Sequence, residues 1–371
     1  MKNTLFITLF FVPVFFLSCT RTKDGTINDI NIVNINLSKS FKGDTKNFFS
    51  TVYLLPLETT KNGVLGSSLI LRCNMDNIFV SDKTKVICFI IDDNGGKIKY
   101  IINKLGKGPQ EYSEIIDFAV NNKYLVVYTD GGVVIYNVEN GKFLKKIKIN
   151  IAAREINLFN DYIIFYTSFF QNPVKYHYEL LTFNINNNEI KKYFKHIDKD
   201  LGSYLERQIF NYNGNVYYCS PFRNVIYKFN NNAEPKPFAL LSFGDNSQDI
   251  IDLKKIKSIE NKRSLESSKY FYYFGNLFIT DKYFSLTYCH KGSFYRIWYD
   301  SEQPDKSAVV GGSAYQEILY KNRLVSLMNS YDISQFDPEK YKDNKEALKM
   351  YSKVLNVTED DNPCLRIIEL K

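Results

Sequence analysis

Gly106-Lys107-Gly108-Pro109-Gln110-Glu111-Tyr112 interrupts a chain that otherwise reads as one short strand after another. Two glycines and a proline within four residues cannot continue a strand. Strand-patterned residues stand on both sides, at 97–102 and at 113–120, so the segment forces a sharp crossing from one sheet to the next. The sheets on either side look alike. Residues 67–102 hold four apolar runs, the last following Asn94-Gly95-Gly96, and residues 113–149 repeat the theme with Glu139-Asn140-Gly141 before a basic fourth run. Self-similarity at a period of about 45 residues is the mark of a radial array of four-stranded sheets. The expected fold is all-β, a six-bladed β-propeller with short helical insertions.

Later repeats are less regular. They are expected at 155–194, 207–243 and 270–310, with a sixth beginning near Gln316 and ending in a last strand at 365–370. Two segments have helical character instead. In 249–262 the residues Ile250, Leu253, Ile256 and Ile259 fall at helical spacing, and 338–355 opens with Asp337-Pro338, a helix-start signal. A ring of blades must close, because an open end leaves unpaired strand edges. Either 28–37 or 51–57 is therefore expected to join the blade holding the last strand.

The N-terminus gives an address. Lys2 precedes an apolar run at 5–17, too short to span a bilayer comfortably, and Ser18-Cys19 follows at once. This is the layout of a signal peptide over residues 1–18. A Cys directly after the small residue points to lipidation of Cys19, with ordinary secretion and an incidental Cys as the alternative. Residues 19–27 then read as a lipid-anchored linker and 28–371 as the propeller. Aromatic residues make up 16% of the chain, with 28 Tyr and 29 Phe, which favours strands. The net charge is +8, but the lysines are spread as pairs such as Lys145-Lys146, Lys191-Lys192 and Lys254-Lys255. They read as solvated faces and edge protection, not as a nucleic-acid patch. Five cysteines besides Cys19 lie mostly in apolar patterns without a C-x-x-C motif. Buried free thiols are expected, and Cys73 with Cys88 is the one pair that merits a test.

Taken together, the chain resembles the six-bladed β-propeller lipoproteins of Bacteroides and its relatives. The resemblance rests on Phe16-Leu17-Ser18-Cys19, Leu55-Pro56-Leu57-Glu58, the Gly106–Tyr112 crossing, Ser220-Pro221-Phe222-Arg223-Asn224-Val225-Ile226-Tyr227, and Asn362-Pro363 before the last strand. It covers essentially the whole mature chain and relates it to the wider NHL/TolB-like propeller group. Gln110 stands where that family usually has a third glycine. The resemblance implies an outer-membrane lipoprotein, facing the periplasm or the cell surface, and no proven activity.

In such a ring, the first strand of each blade lines the axis. Loops between blades share one face with the second-to-third-strand loops. That geometry selects Glu111, Tyr112, Arg154, Arg207 and Tyr315 near blade crossings, and Arg223 and His290 on second-to-third-strand loops. A mouth of Tyr, Arg and Glu suits a glycan, a peptide or an envelope protein partner. Catalysis has little support: His177, His196 and His290 are scattered without metal-ligand spacing, and no G-x-S-x-G occurs. The expected function is a non-catalytic binding or scaffold lipoprotein without a cofactor. The alternative is a calcium-dependent hydrolase or polysaccharide lyase on the axis, for which Glu111, Asp117, Asn157 and Asn215 are imaginable ligands.

Overall fold

Why the chain breaks into hairpins is visible at the end of each third strand. Asp92, Asn137, Asn184, Asn230 and Asp300 each turn a side-chain oxygen onto backbone amides two to four residues ahead. This local bond mimics a turn and stops the strand at the same place in five successive repeats. The computed structural model describes residues 31–35, 48–167, 177–196, 207–220, 224–242, 272–304, 307–311 and 317–371. Within them are six small sheets arranged as a six-bladed β-propeller. The expected signal peptide, Cys19 and the helical segment at 249–262 lie outside the described residues.

Each blade is an antiparallel meander counted outward from the axis. The innermost strands are Ile70–Cys73, Asp117–Val120, Glu155–Phe159, Ile209–Tyr212, Tyr272–Ile279 and Ile318–Tyr320 in blades one to six. Blades one to five use consecutive strands. Blade six has Arg323–Met328 and Cys364–Leu370 as its next strands and takes its outermost strand, Phe49–Pro56, from near the N-terminus. Val52 stands opposite Ile368 and Leu55 opposite Leu365, so the first and last parts of the chain close the ring antiparallel. Of the two segments expected to do this, the later one does.

The earlier segment behaves differently from the closing role considered for it. Asn31–Asn34 adds a fifth, parallel strand to the outside of blade four, with Val33 opposite Leu241. Ile35 then bonds Ser242 through its amide at 2.5 Å. Within 338–355 the chain is helical in two short pieces, a 3-10 turn at Pro338–Tyr341 and an α-helix at Lys345–Tyr351. Asp337 caps the first, as its sequence suggested, and Asn344 caps the second by accepting from the Ala347 amide at 3.0 Å. Their connection leaves the second strand of blade six and returns to its third. Packing of Leu54, Ile333, Val354 and Cys364 holds it against the blade.

The core lies between neighbouring blades. Second strands such as Asn77–Ser81 and Tyr124–Thr129 are buried along their whole length, because a blade is covered on both faces. Outermost strands are half-exposed and alternate, as in Phe143–Lys148. Their lysines are more than solvated edge. Lys99 pairs with Glu139 at 2.8 Å, Lys145 donates to the Ile185 carbonyl at 2.6 Å, and Lys191 pairs with Glu234 at 3.5 Å. In each case the outer strand of one blade reaches the last turn of the next. Surface pairs of this kind are individually weak, so their repetition argues for alignment of blades more than for stability.

All five described cysteines are free thiols, so Cys73 and Cys88 do not pair. Burial pushes the Cys88 and Cys364 thiols up to about 12 and the Cys219 thiol well above its ordinary value. These three are expected to resist an alkylating reagent at pH 8 until the protein is unfolded, because the thiolate is the reactive form; mass spectrometry of native and denatured samples reads this directly. Truncating the closure should be costly. Leu365 is fully buried in the closing strand, and Leu365→Ala is expected to lower stability by about 2–5 kcal/mol. The chain's single tryptophan, Trp298, is buried in blade five, and its fluorescence during urea titration gives the measurement.

Candidate functional site

The Gly106–Tyr112 crossing is built for its own shape. Gly106 adopts φ +154°, and a Cβ there would fall 2.0 Å from a carboxylate oxygen of Glu111. That same oxygen accepts from the Gly108 amide at 2.8 Å. Leu105 and Tyr112 form a parallel bridge, and the Tyr112 amide donates to the Lys104 carbonyl at 2.9 Å. Tyr112 is only 1% exposed, and its hydroxyl donates toward the Thr84 and Ile102 carbonyls at 3.0 and 3.1 Å. Burial pushes that hydroxyl up to about 12. Tyr112 thus lies inside the crossing and not in an open mouth, and the Glu111 carboxylate shapes the turn. Gln110 is exposed and absent from the positive-φ residues, so the backbone there does not require a glycine.

The preceding crossing, from blade six to blade one, is tied by Asp82. Partial burial works against its charge, but hydrogen bonds from Thr84, Gly66 and Lys85 outweigh that and hold the carboxyl below the usual range. Asn362 completes the junction, donating to the Glu58 and Gly63 carbonyls and accepting from the Leu65 amide, each at 2.8 Å.

Around the axis stand three guanidinium–carboxylate pairs. Arg72 meets Asp117 at 2.6 Å, Arg207 meets Glu155 at 3.2 Å and Arg296 meets Glu317 at 2.8 Å, with every side chain at most 17% exposed. Because inner strands start near the axis, each pair crosses a blade boundary or braces one. The second oxygen of Asp117 accepts from the Ile156 amide at 2.8 Å, and that of Glu155 from the Gln208 amide at 2.8 Å. Arg72 also donates to the Phe118 and Leu71 carbonyls. Arg296 donates to the Ser285 hydroxyl and lies over the Trp298 ring at 4.9 Å. Burial pushes the Glu155 carboxyl upward against the pull of Arg207 and Arg72. Burial likewise lowers the Arg72 guanidinium.

Of the mouth residues selected by sequence, the structure puts Arg207 on the axis and Glu111 in the crossing. Arg154 is half-buried beside Glu155, with its amide on the Tyr166 carbonyl, and His290 ends the second strand of blade five opposite Ser293. Arg223 and Tyr315 lie outside the described residues. Sequence reasoning missed Arg72 and Glu155 and placed Asp117 on the axis only as an imaginable calcium ligand; all three share the axis because each sits on an inner strand. It also treated the histidines as scattered. His177 and His196 in fact meet across blade three, ring centres 4.8 Å apart, and the Thr167 hydroxyl lies 3.0 Å from His196 Nε2. Among the described residues no three His, Cys, Asp or Glu side chains are grouped to hold a metal. The imagined calcium ligands are dispersed in purpose: Asp117 faces Arg72, Glu111 caps Gly108, and the Asn157 side-chain oxygen takes the Leu158 amide.

Three outcomes test this account. Asp117→Asn removes the charge facing buried Arg72 and is expected to cost about 3–5 kcal/mol, whereas the double change Arg72→Met with Asp117→Leu should recover most of it; urea titration compares the three proteins. Gly106→Ala is expected to cost about 1–3 kcal/mol through strain at positive φ. Asp82 stabilises the folded state fully above the ordinary carboxyl range near about 4, and this contribution is lost as pH falls through its depressed folded value. The acid limb of the stability profile should therefore be shallower in Asp82→Asn than in the parent protein.

With that geometry in place, comparison with known proteins is informative about fold. A protein of Bacteroides fragilis NCTC 9343 described as exported superposes with a TM-score of 0.65 at 15% identity, covering 92% of this chain and 100% of that one. This likeness establishes a shared fold. BamB from Moraxella catarrhalis gives 0.41 at 11% identity, covering 73% and 75%. The extracellular domain of a one-component system from B. thetaiotaomicron gives 0.39 at 13%, covering 74% and 32%. No curated protein matches the chain. The family described as Domain of unknown function (DUF4934) matches residues 28–369, and the chain is therefore a member of the DUF4934 family.

Proposed function

We propose that this protein is a cell-envelope lipoprotein whose propeller is a non-catalytic binding or scaffold module, related in form to the NHL/TolB-like propellers. Its partner is a glycan, a peptide or another envelope protein. The observation that carries this reading is the pairing on the axis. Asp117, Glu155 and Glu317 each face a guanidinium, and two of them also accept a backbone amide. A general base needs a lone pair turned to a substrate proton, whereas Asp117 and Glu155 turn both oxygens to a guanidinium and to an amide of the next blade, and Glu317 faces Arg296. The calcium-dependent alternative needs several carboxylate oxygens turned to one point, and finds no support in that arrangement.

Placement at the outer membrane rests on Phe16-Leu17-Ser18-Cys19 and on the exported description of the B. fragilis neighbour. Acyl chains on Cys19 would supply the anchor. The anchor is tested by growing cells with an alkyne fatty acid: the parent protein is expected to label and to sediment with membranes, and Cys19→Ser to do neither. Label retained by Cys19→Ser would remove the anchor from the proposal. The binding role is tested by a thermal-shift panel of glycans, peptides and divalent cations. A sugar or peptide that raises Tm without being consumed supports it, and turnover of any of them, with calcium or without, replaces it.

A further inference from the structure

Arg207 holds a position that the axial pairs do not exhaust. Only its Nε reaches Glu155; among the described residues neither terminal amine has an acceptor. Arg207 also lines both axial cavities. One, with about 10 Å³ of free volume, lies toward Asn276, Arg296 and Glu317. The other, about 40 Å³ on the same measure, is bounded by Arg72, Cys73, Asn157, Phe210 and Leu319. Its walls come from the innermost strands of blades one, two, three, four and six, so this second cavity runs along the axis. Asn157 is 3% exposed; its oxygen takes the Leu158 amide, and among the described residues its NH₂ has no acceptor. Two sets of unused donors thus border one narrow well.

We propose that the well binds a carboxylate group, held by the two terminal amines of Arg207 with the Asn157 amide beside it. The planar fork of a guanidinium matches a carboxylate with two parallel hydrogen bonds. Charge argues for a monoanion. The axis already carries Asp117 and Glu155 next to Arg72 and Arg207, so a dianionic phosphate meets two carboxylates at short range, and a single negative charge meets a locally balanced site. Size argues for only the end of a ligand, since the well leaves about 40 Å³ of free volume, far less than the roughly 300–1,000 Å³ of sites that enclose a whole small molecule. The apolar wall of Phe210 and Leu319 accommodates the carbon bearing the group. A uronic acid and a peptide C-terminus both present this chemistry. The proposal rests on the binding role above and specifies what the axis recognises.

The test uses the full-length protein in detergent and four probes: glucuronate, glucose, a tripeptide acid and the same tripeptide amide. Calorimetric titration is expected to show one acid bound at least about tenfold more tightly than its neutral partner, and which acid it is distinguishes the sugar from the peptide source. Arg207→Gln is expected to abolish that preference. Should this variant fail to fold, Arg207→Lys retains the charge without the fork, and Asn157→Ala removes the neighbouring donor while leaving the Arg207–Glu155 pair; each is expected to weaken the acid severalfold and leave the neutral partner unchanged. Equal binding of acid and neutral partner overturns the carboxylate site and leaves the binding role standing. An acid preference untouched in folded variants overturns the assignment to Arg207 and Asn157. Binding of none of the four probes overturns the carboxylate site, while the broader panel still decides the binding role.

Discussion

The rest of the molecule depends on a closed relay of polar contacts around the axis. Blade one reaches blade two through Arg72 and Asp117, and Asp117 reaches blade three at the Ile156 amide. Glu155 carries the relay to Arg207 and Gln208 before blade four, and the Arg207 carbonyl accepts from Asn276 of blade five. Arg296 of blade five meets Glu317 at the start of blade six. The Cys73 thiol and the Tyr320 hydroxyl, each bonded to a carbonyl of the other blade, bring it back to blade one. Apolar packing between blades supplies the larger driving force but is tolerant of sliding. Directional bonds to buried charges are not, because a shifted blade leaves an unpaired ion in a region that penalises it strongly.

A second ring of contacts lies at the rim. Outer-strand lysines reach the turn of the following blade, and Tyr100 stacks against Gly141 while bonding the Val138 carbonyl at 2.5 Å. The axis thus sets which inner strands meet, and the rim sets how far each blade leans on the next. The N-terminal segment adds a third tie. Asn31–Asn34 lies on blade four, Phe48 packs against Tyr283 and Trp298 of blade five, and Phe49–Pro56 closes blade six. One short stretch of chain therefore touches half the ring.

This division of labour narrows what the axis is free to do. Asp117 and Glu155 each hold a guanidinium and a backbone amide of a neighbouring blade, and the donors left over include the Arg207 fork and the Asn157 amide. In the carboxylate site proposed above, these donors would recognise an anionic or carbonyl group.

Sequence alone determined the repeat. Period, turn residues and apolar runs are local properties, so the six blades, the helix start at Asp337-Pro338 and the tight crossing at Gly106 were legible before any coordinates. The candidate site was legible at Arg207, whose place before an inner strand marked it, and at Asp117 and Asn157, named on the axis as imaginable calcium ligands. Arg72, Asp117 and Glu155 look like ordinary charges within strands 45 and 38 residues apart. Only the ring brings them within hydrogen-bonding distance, since radial closure converts equivalent positions of separate repeats into neighbours. For the same reason the partner of Asn31–Asn34 was hidden: a parallel pairing with residues some 208 positions later leaves no mark on either segment's own pattern. Local periodicity selects the blades, whereas the curvature that closes them decides which charges meet.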